Sequence, residues 1–519
     1  MMLSLRKGSH LLYGLLVALI VILSFREFSA FLTPNLNSDH AIHILMAYDL
    51  ELPDDLYFWG QNRLGSLLPI LSHLVLTIAP IQPVIIVSIV GYALLLIGFF
   101  AFTSLFKNAL LKLIFALIWF LPLQPFNELN VISQPYGPQI AAIGVAVALT
   151  NRFLTQSTSG FRRQILIAGI TASLFISLWV SDFSALTILI FGIVVLISLY
   201  KQNAASNAKF FSLKRLGLTP VDLINLAIVS VIGMAFILYA KDNASGRSTS
   251  YATFNTWWEI QFILDKLLNS FINTITFKGN WFLGIHAILV IILIFYVSYL
   301  SLIKRREEPF TVSQWTYLFF ANATIGMILL VCLYWVYRNG VNFRYFTIVY
   351  VSFWLAALFF AQGLNGTTAK RMSLFLLIIA IVSTLSMHSR VFAFDRGVLS
   401  KIQQLQPIQT LGKAGFIGDY WTSYILCTVN PAQLNCTPYD RKGFTPCLQD
   451  PETQEQVGRT RCRRCIRKVL NSESIYLIRE KWLGAFPDQI QQFKTCLVKA
   501  GEPIKLSGYT VAPYRKRPE

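Results

Sequence analysis

Long apolar runs, separated at short intervals by small basic or polar clusters, set the rhythm of this chain. Residues 11–25 with their flanks, 83–106, 164–180, 221–240, 281–303, 315–336, 345–361 and 372–387 are such runs. They approach or reach the roughly 18–20 apolar residues that a helix needs to cross a bilayer. The stretch 64–79 is weaker: it carries His73 and closes in a turn at Pro80 and Pro83. Past residue 389 the runs shorten and charge, proline and cysteine rise. Short β-branched pieces such as 474–478 predict mixed α/β structure there.

Composition narrows the class. Of 519 residues, 55% are hydrophobic and only 13% charged, more apolar sequence than a soluble core uses. The predicted architecture is an α-helical polytopic membrane protein of about 11–13 spans, with a small C-terminal extracytoplasmic α/β domain. The division falls at 1–388 for the membrane domain, its first external loop being 26–63, and 389–519 for the cysteine-rich domain. The net charge of +19 does not imply nucleic acid. Its lysines and arginines lie in short loops and in the tail, as orientation in a membrane demands.

Basic residues mark the cytoplasmic side. Arg6 and Lys7, Lys107 and Lys112, Arg152 with Arg162 and Arg163, residues 201–215 and 304–306, and Lys370 with Arg371 belong inside. Residues 26–63, 122–138, the turn at Asp182, 241–280, 337–344 and the tail then lie outside. The apolar stretches come to an even count, whereas termini on opposite sides need an odd one. Either 64–79 is a partial or interfacial helix, or one long run hides two crossings. The first span has a signal-like basic start, and Ser29-Ala30 is a conceivable cleavage context. It reads as a retained anchor because it leads straight into an acidic cluster.

Six of the seven cysteines, Cys427, Cys436, Cys447, Cys462, Cys465 and Cys496, fall in the tail. An even set in an external domain predicts disulfides, with the pairing left open. A zinc site built on Cys462 and Cys465 is the rival, though no second close pair exists. Asn243 and Asn435 stand in glycosylation-type sequons, which arise often by chance.

Candidate chemistry concentrates in residues 37–66, NSDHAIHILMAYDLELPDDLYFWGQNRLGS. Asn37-Ser38 is a helix cap, and Asp39 and His43, four apart, share one helical face. A carboxylate held at a membrane surface suits general-base work on a hydroxyl. With His43 it could also hold a divalent metal; no cofactor is otherwise called for. Asp54 and Asp55 read as turn formers. Trp59, Gln61 and Asn62 suit a sugar: an aromatic face for the ring, amides for its hydroxyls.

The run SDHAIHILMAYDLE…LYFWGQNRLGSLL resembles the first external loop of the GT-C superfamily of multi-spanning glycosyltransferases, which includes protein mannosyltransferases and aminoarabinose transferases. The resemblance implies an essential acid at Asp39, an amide pair at Gln61 and Asn62, and a polyprenyl-phosphate sugar as donor. YRNGVNFRYF, residues 337–346, resembles the family's Arg-Tyr segment, so Arg344, with Arg338 nearby, is expected to grip the lipid phosphate. GFIGDYWTSYIL, residues 415–426, resembles the start of an external domain whose Asp419, Tyr420 and Trp421 close over the site. The second external loop departs from the family: NVISQPYGPQ, residues 130–139, lacks the usual arginine and paired glycines, and Tyr136 is the substitute contact. Asp182 is a second catalytic acid facing the same cavity.

The expected function is sugar transfer from the lipid donor to an acceptor hydroxyl on a glycan, lipid or protein. The place is the outer face of a bacterial inner membrane, with the N-terminus cytoplasmic and bilayer lipids as further partners. A flippase for lipid-linked sugar and a non-catalytic assembly subunit are the alternatives. A flippase would place charges along a path at mid-membrane, whereas here the spans are nearly free of charge.

Overall fold

The computed structural model describes residues 2–156, 159–202, 216–246, 253–302, 312–387, 399–440, 447 and 462–517. The expected start of the tail domain at 389 lies outside them.

The apolar runs form helices, and local chemistry sets their starts. Pro83 and Pro220 occupy first helical turns, where a missing N–H costs nothing. Asn108 and Ser313 accept backbone N–H groups as caps, and Thr219 forms a capping box with Asp222. The flanks are greasy: Leu11, Val231 and Phe295 are each about 70% exposed. That is the inverse of a soluble protein and suits a lipid surround.

Hydrogen bonds define two ends of the bundle. At one end Lys107 N–H donates to Gln362 Oε1 (2.9 Å), Arg163 Nε to Asp222 (3.0 Å) and Trp315 Nε1 to Asn151 (3.1 Å). At the other, Gly65 N–H donates to the Val180 carbonyl (3.3 Å), Lys241 Nζ to Asp182 (2.8 Å) and Asn280 Nδ2 to the Ser386 carbonyl (2.7 Å). Nine helices among the described residues are long and apolar enough to span a membrane. Two shorter apolar helices, Leu67–Ile78 and Ala109–Phe120, accompany them. In the first, Leu68 near its start, Leu76 near its finish and Val84 beyond the turn all join one apolar cluster with the tail. At 12 residues, Leu67–Ile78 is shorter than a full crossing needs.

The tail builds one mixed sheet. Strands β1 (Ala414–Gly418), β2 (Leu434–Pro438), β3 (Ser474–Ile478), β4 (Gln489–Gln492), β5 (Thr495–Lys499), β6 (Ile504–Leu506) and β7 (Tyr509–Lys516) are arranged β2-β1-β3-β7-β5-β4, with β6 on β7. β1 runs parallel to β2 and β3; the remaining pairs are antiparallel. Parallel neighbours need a crossover, and the Tyr420–Cys427 helix supplies it between β1 and β2. Cys427–Cys436, Cys447–Cys496 and Cys462–Cys465 are disulfide-bonded, so the zinc alternative at Cys462 and Cys465 falls away.

The tail is not a free appendage. Ala41, Ile42, Leu45 and Trp59 from the first loop share one apolar cluster with Tyr420, Tyr424 and Leu426 from the tail.

Candidate functional site

The Ser38–Tyr48 helix starts at Asn37, whose side chain accepts the His40 N–H while the His40 ring reaches back to the Asn37 N–H. This reciprocal cap fixes the first turn and with it Asp39. Ser38 Oγ donates to the Tyr420 carbonyl, and the Tyr420 hydroxyl donates to Asp39 Oδ1 at 2.7 Å. Of the three expected tail residues, Tyr420 alone touches Asp39. Asp419 instead caps its own helix, accepting the Trp421 N–H at 2.9 Å, and Trp421 is half exposed beside the Tyr420 ring.

Glu128, which sequence reasoning missed, lies within electrostatic reach of Asp39. It sits in the short 3-10 turn Gln124–Leu129 and accepts the Ser133 hydroxyl at 3.2 Å. Burial pushes its carboxyl up; Arg344 and the Ser133 bond pull it down, Asp39 adds to the rise, and the net direction is up. Glu128 therefore feels both the candidate base and the candidate phosphate ligand. One signal was available: it is the lone acidic residue between Asp55 and Asp182.

Arg344 lies on the turn Phe343–Phe346, which Asn342 caps by accepting the Arg344 N–H at 3.0 Å. Its Nη2 donates to the Tyr345 hydroxyl at 3.0 Å, while its buried Nε has no hydrogen-bond partner. Arg338, expected beside it, is exposed at the end of the short helix Tyr334–Arg338 and makes no described contact with this group.

A cavity of about 470 Å³ opens next to Arg344, lined by Asn62, Arg63, Tyr136, Asp182, Lys241, Trp335 and Tyr345 among others. Tyr136 lies within the electrostatic reach of Arg344, Tyr345, Glu128 and Arg63 and so joins the cavity to the Asp39 group. Asp182 lines this cavity, which Asp39 does not, and it is held by Lys241 at 2.8 Å, a pairing that sequence reasoning did not supply. Arg63 lies over the Trp335 ring at 5.1 Å and donates from Nε to Gln61 Oε1 at 3.2 Å. Gln61 is thus buried behind Arg63, and Asn62 reaches the cavity. Gly65 allows the loop to close here: a Cβ on it would lie 2.5 Å from the Trp179 carbonyl oxygen.

Three expectations are corrected. Trp59 does not stand open for a sugar; it is 3% exposed, donates to Asp55 Oδ1 at 2.9 Å and lies under Arg464. Asp55 is no solubilising turn residue. It is buried, and with Asp49 and Glu51 it surrounds Arg464 of the tail, at 2.6, 3.4 and 3.0 Å. Burial opposes the Arg464 charge, but the three carboxylates outweigh it and hold the guanidinium above its ordinary pKa. His43 is not presented to a metal or a sugar. It is buried edge-on against Phe58, and burial, with His40 nearby, lowers it to about 3. His40 is likewise lowered by burial to about 4. Both are neutral at physiological pH. Among the described residues no three His, Cys, Asp or Glu side chains are gathered closely enough to hold a metal ion.

No protein-family model and no curated protein matches the sequence. Solved structures do resemble it. The Archaeoglobus fulgidus oligosaccharyltransferase complexed with zinc and sulfate aligns over 89% of this chain and 68% of its own, at 12% identity and TM-score 0.42. ArnT from Cupriavidus metallidurans aligns in the apo state over 98% of both chains at 9% identity and TM-score 0.43. Its complex with undecaprenyl phosphate covers 96% of this chain and 97% of its own, at 10% identity and TM-score 0.42. At such values the likeness carries no functional weight; what the cavity can do follows from its residues.

Proposed function

We propose that this protein is a membrane glycosyltransferase that moves a sugar from a polyprenyl-phosphate donor to an acceptor hydroxyl, at the outer face of a bacterial inner membrane. One observation carries the reading. Asp39 and Arg344 both act electrostatically on Glu128, and Tyr345, the hydroxyl partner of Arg344, lines the adjoining cavity of about 470 Å³.

The acceptor hydroxyl donates to Asp39, which takes its proton as the oxygen attacks the anomeric carbon. The bond from that carbon to the phosphate oxygen breaks on the opposite face, inverting the centre. The electron pair leaves with the lipid phosphate, whose growing charge is met by Arg344. The products are the glycosylated acceptor, polyprenyl phosphate and a protonated Asp39. Glu128 counterbalances Arg344 when no phosphate is bound. Asn62, Tyr136, Asp182 and Lys241 supply donors and acceptors for the sugar hydroxyls.

The test uses full-length protein in nanodiscs with undecaprenyl phosphates carrying radiolabelled arabinose, glucose or mannose, and water as the default acceptor. Sugar release is expected from at least one donor. Asp39→Asn should lower it by about 100-fold or more, and Arg344→Ala by a similar factor. Wild-type rates in the Asp39 variant would sink the mechanism; turnover of none of the donors would sink the donor class.

A further inference from the structure

We infer that the tail domain contributes a positioning residue to the reaction centre: Tyr420 ties one oxygen of Asp39 and leaves the other aimed at the acceptor hydroxyl. This rests on Asp39 being the base proposed above.

Asp39 and Tyr420 are 381 residues apart, yet their side chains meet at 2.7 Å. A second bond, Ser38 Oγ to the Tyr420 carbonyl, joins the adjacent residue to the same tyrosine. Two bonds between one pair of helix starts fix both the height and the rotation of Tyr420 over Asp39.

The tyrosine has little freedom to be elsewhere. It is 4% exposed and packs edge-on against Trp421 and Tyr424, at 5.0 and 5.9 Å between ring centres. Its helix starts at a cap made by Asp419, and the Asp419 N–H is in turn held by Glu480 at 2.6 Å. The phenol therefore arrives on a rigid support, as a group that orients another must.

The chemistry of the contact is specific. A carboxylate has two oxygens, and the ionised form only accepts. Tyr420 occupies Oδ1; among the described residues nothing donates to Oδ2. An acceptor hydroxyl approaching Asp39 thus meets a carboxylate that cannot rotate without breaking a bond to a charged group. Such bonds are the stronger class. Phenylalanine at this position would keep the ring packing and lose only the tether.

The test separates tether from packing and needs no substrate. Full-length wild type, Tyr420→Phe and Tyr420→Ala, in detergent, are treated with a water-soluble carbodiimide and glycine ethyl ester. Amidation of individual carboxylates is followed by peptide mass spectrometry. Asp39 should react about fivefold faster or more in the Phe variant, with Asp182 and Asp419 unchanged as internal references. In the donor-turnover assay the Phe variant should lose about tenfold in kcat with the donor KM unchanged. An Asp39 labelling rate unchanged by Phe, with an effect confined to Ala, would reduce Tyr420 to core packing and overturn the inference. Activity in Asp39→Asn would instead overturn the functional reading, and the labelling result would still decide whether Tyr420 holds Asp39.

Discussion

Glu128 shows how much of a site can rest on one side chain that no motif announces. It has no partner at a telling spacing, only isolation in a loop of prolines and amides. Asp39 could be found because a capped helix and a family-like run surround it; Glu128 becomes meaningful only when folding brings it within electrostatic reach of both Asp39 and Arg344. Its raised pKa gives a signed prediction. The carboxylate is the form that balances Arg344, so turnover should fall with decreasing pH, starting above the ordinary glutamate value of about 4.3. Glu128→Gln should displace that acid limb, since turnover still requires ionised Asp39, and lower the plateau by about tenfold. A rate–pH profile with the limb unmoved would take Glu128 out of the mechanism. Trp59 and Gln61 teach the converse: they look exposed in a polar loop, but the tail covers the first and Arg63 the second.

Two elements carry most of what joins the halves of the chain. The Arg463–Leu470 helix brings Arg464 into the acidic pocket of Asp49, Glu51 and Asp55, and Lys468 adds a bond to Asp49. Arg464 has 10% of its side chain exposed and Asp55 2%, so removing the cation strands a buried acid. Arg464→Met should destabilise tail docking by about 3 kcal/mol and speed proteolysis of the tail in otherwise folded protein. An unchanged cleavage rate would show that the apolar cluster suffices alone. The Ser38–Tyr48 helix carries the second device. His40 and His43 have folded pKa values of about 4 and about 3, against about 6.5 unfolded. The unfolded chain therefore binds more protons below pH 6.5. The stability these residues contribute is complete above that value and lost progressively as pH falls toward about 3. Thermal unfolding across this window should show the loss, and His40→Gln with His43→Leu should flatten it. Neither the acidic pocket nor the buried histidines was legible beforehand. Burial belongs to contacts made across hundreds of residues, whereas helix existence is written locally in apolar length. Disulfide pairing was closed to the sequence for the same reason: spacing does not choose among partners.

The whole molecule is polarised. One end holds Asp39, Glu128, Arg344, Asp182 and the sheet of the tail; the other holds the Lys107–Gln362 and Arg163–Asp222 contacts. We place the first end outside. Impermeant maleimide added to intact cells should then label Leu399→Cys and spare Ser104→Cys and Asn365→Cys, and the opposite result would invert the topology. Apolar length made the long helices legible; the place of Leu67–Ile78 was legible only as one of two alternatives, because lying along one end and crossing differ only in what the helix packs against. The short helix Ala109–Phe120 has one last consequence. Its 12 residues rise roughly 18 Å, well short of a hydrocarbon layer of about 30 Å. The turn carrying Glu128 begins four residues beyond it, so if the helix starts at one hydrocarbon boundary it delivers that turn short of the other. A donor anchored by its own tail need not climb out to react. It is then the acceptor that must descend: a chain end that can be threaded downward, or a lipid that slides in sideways.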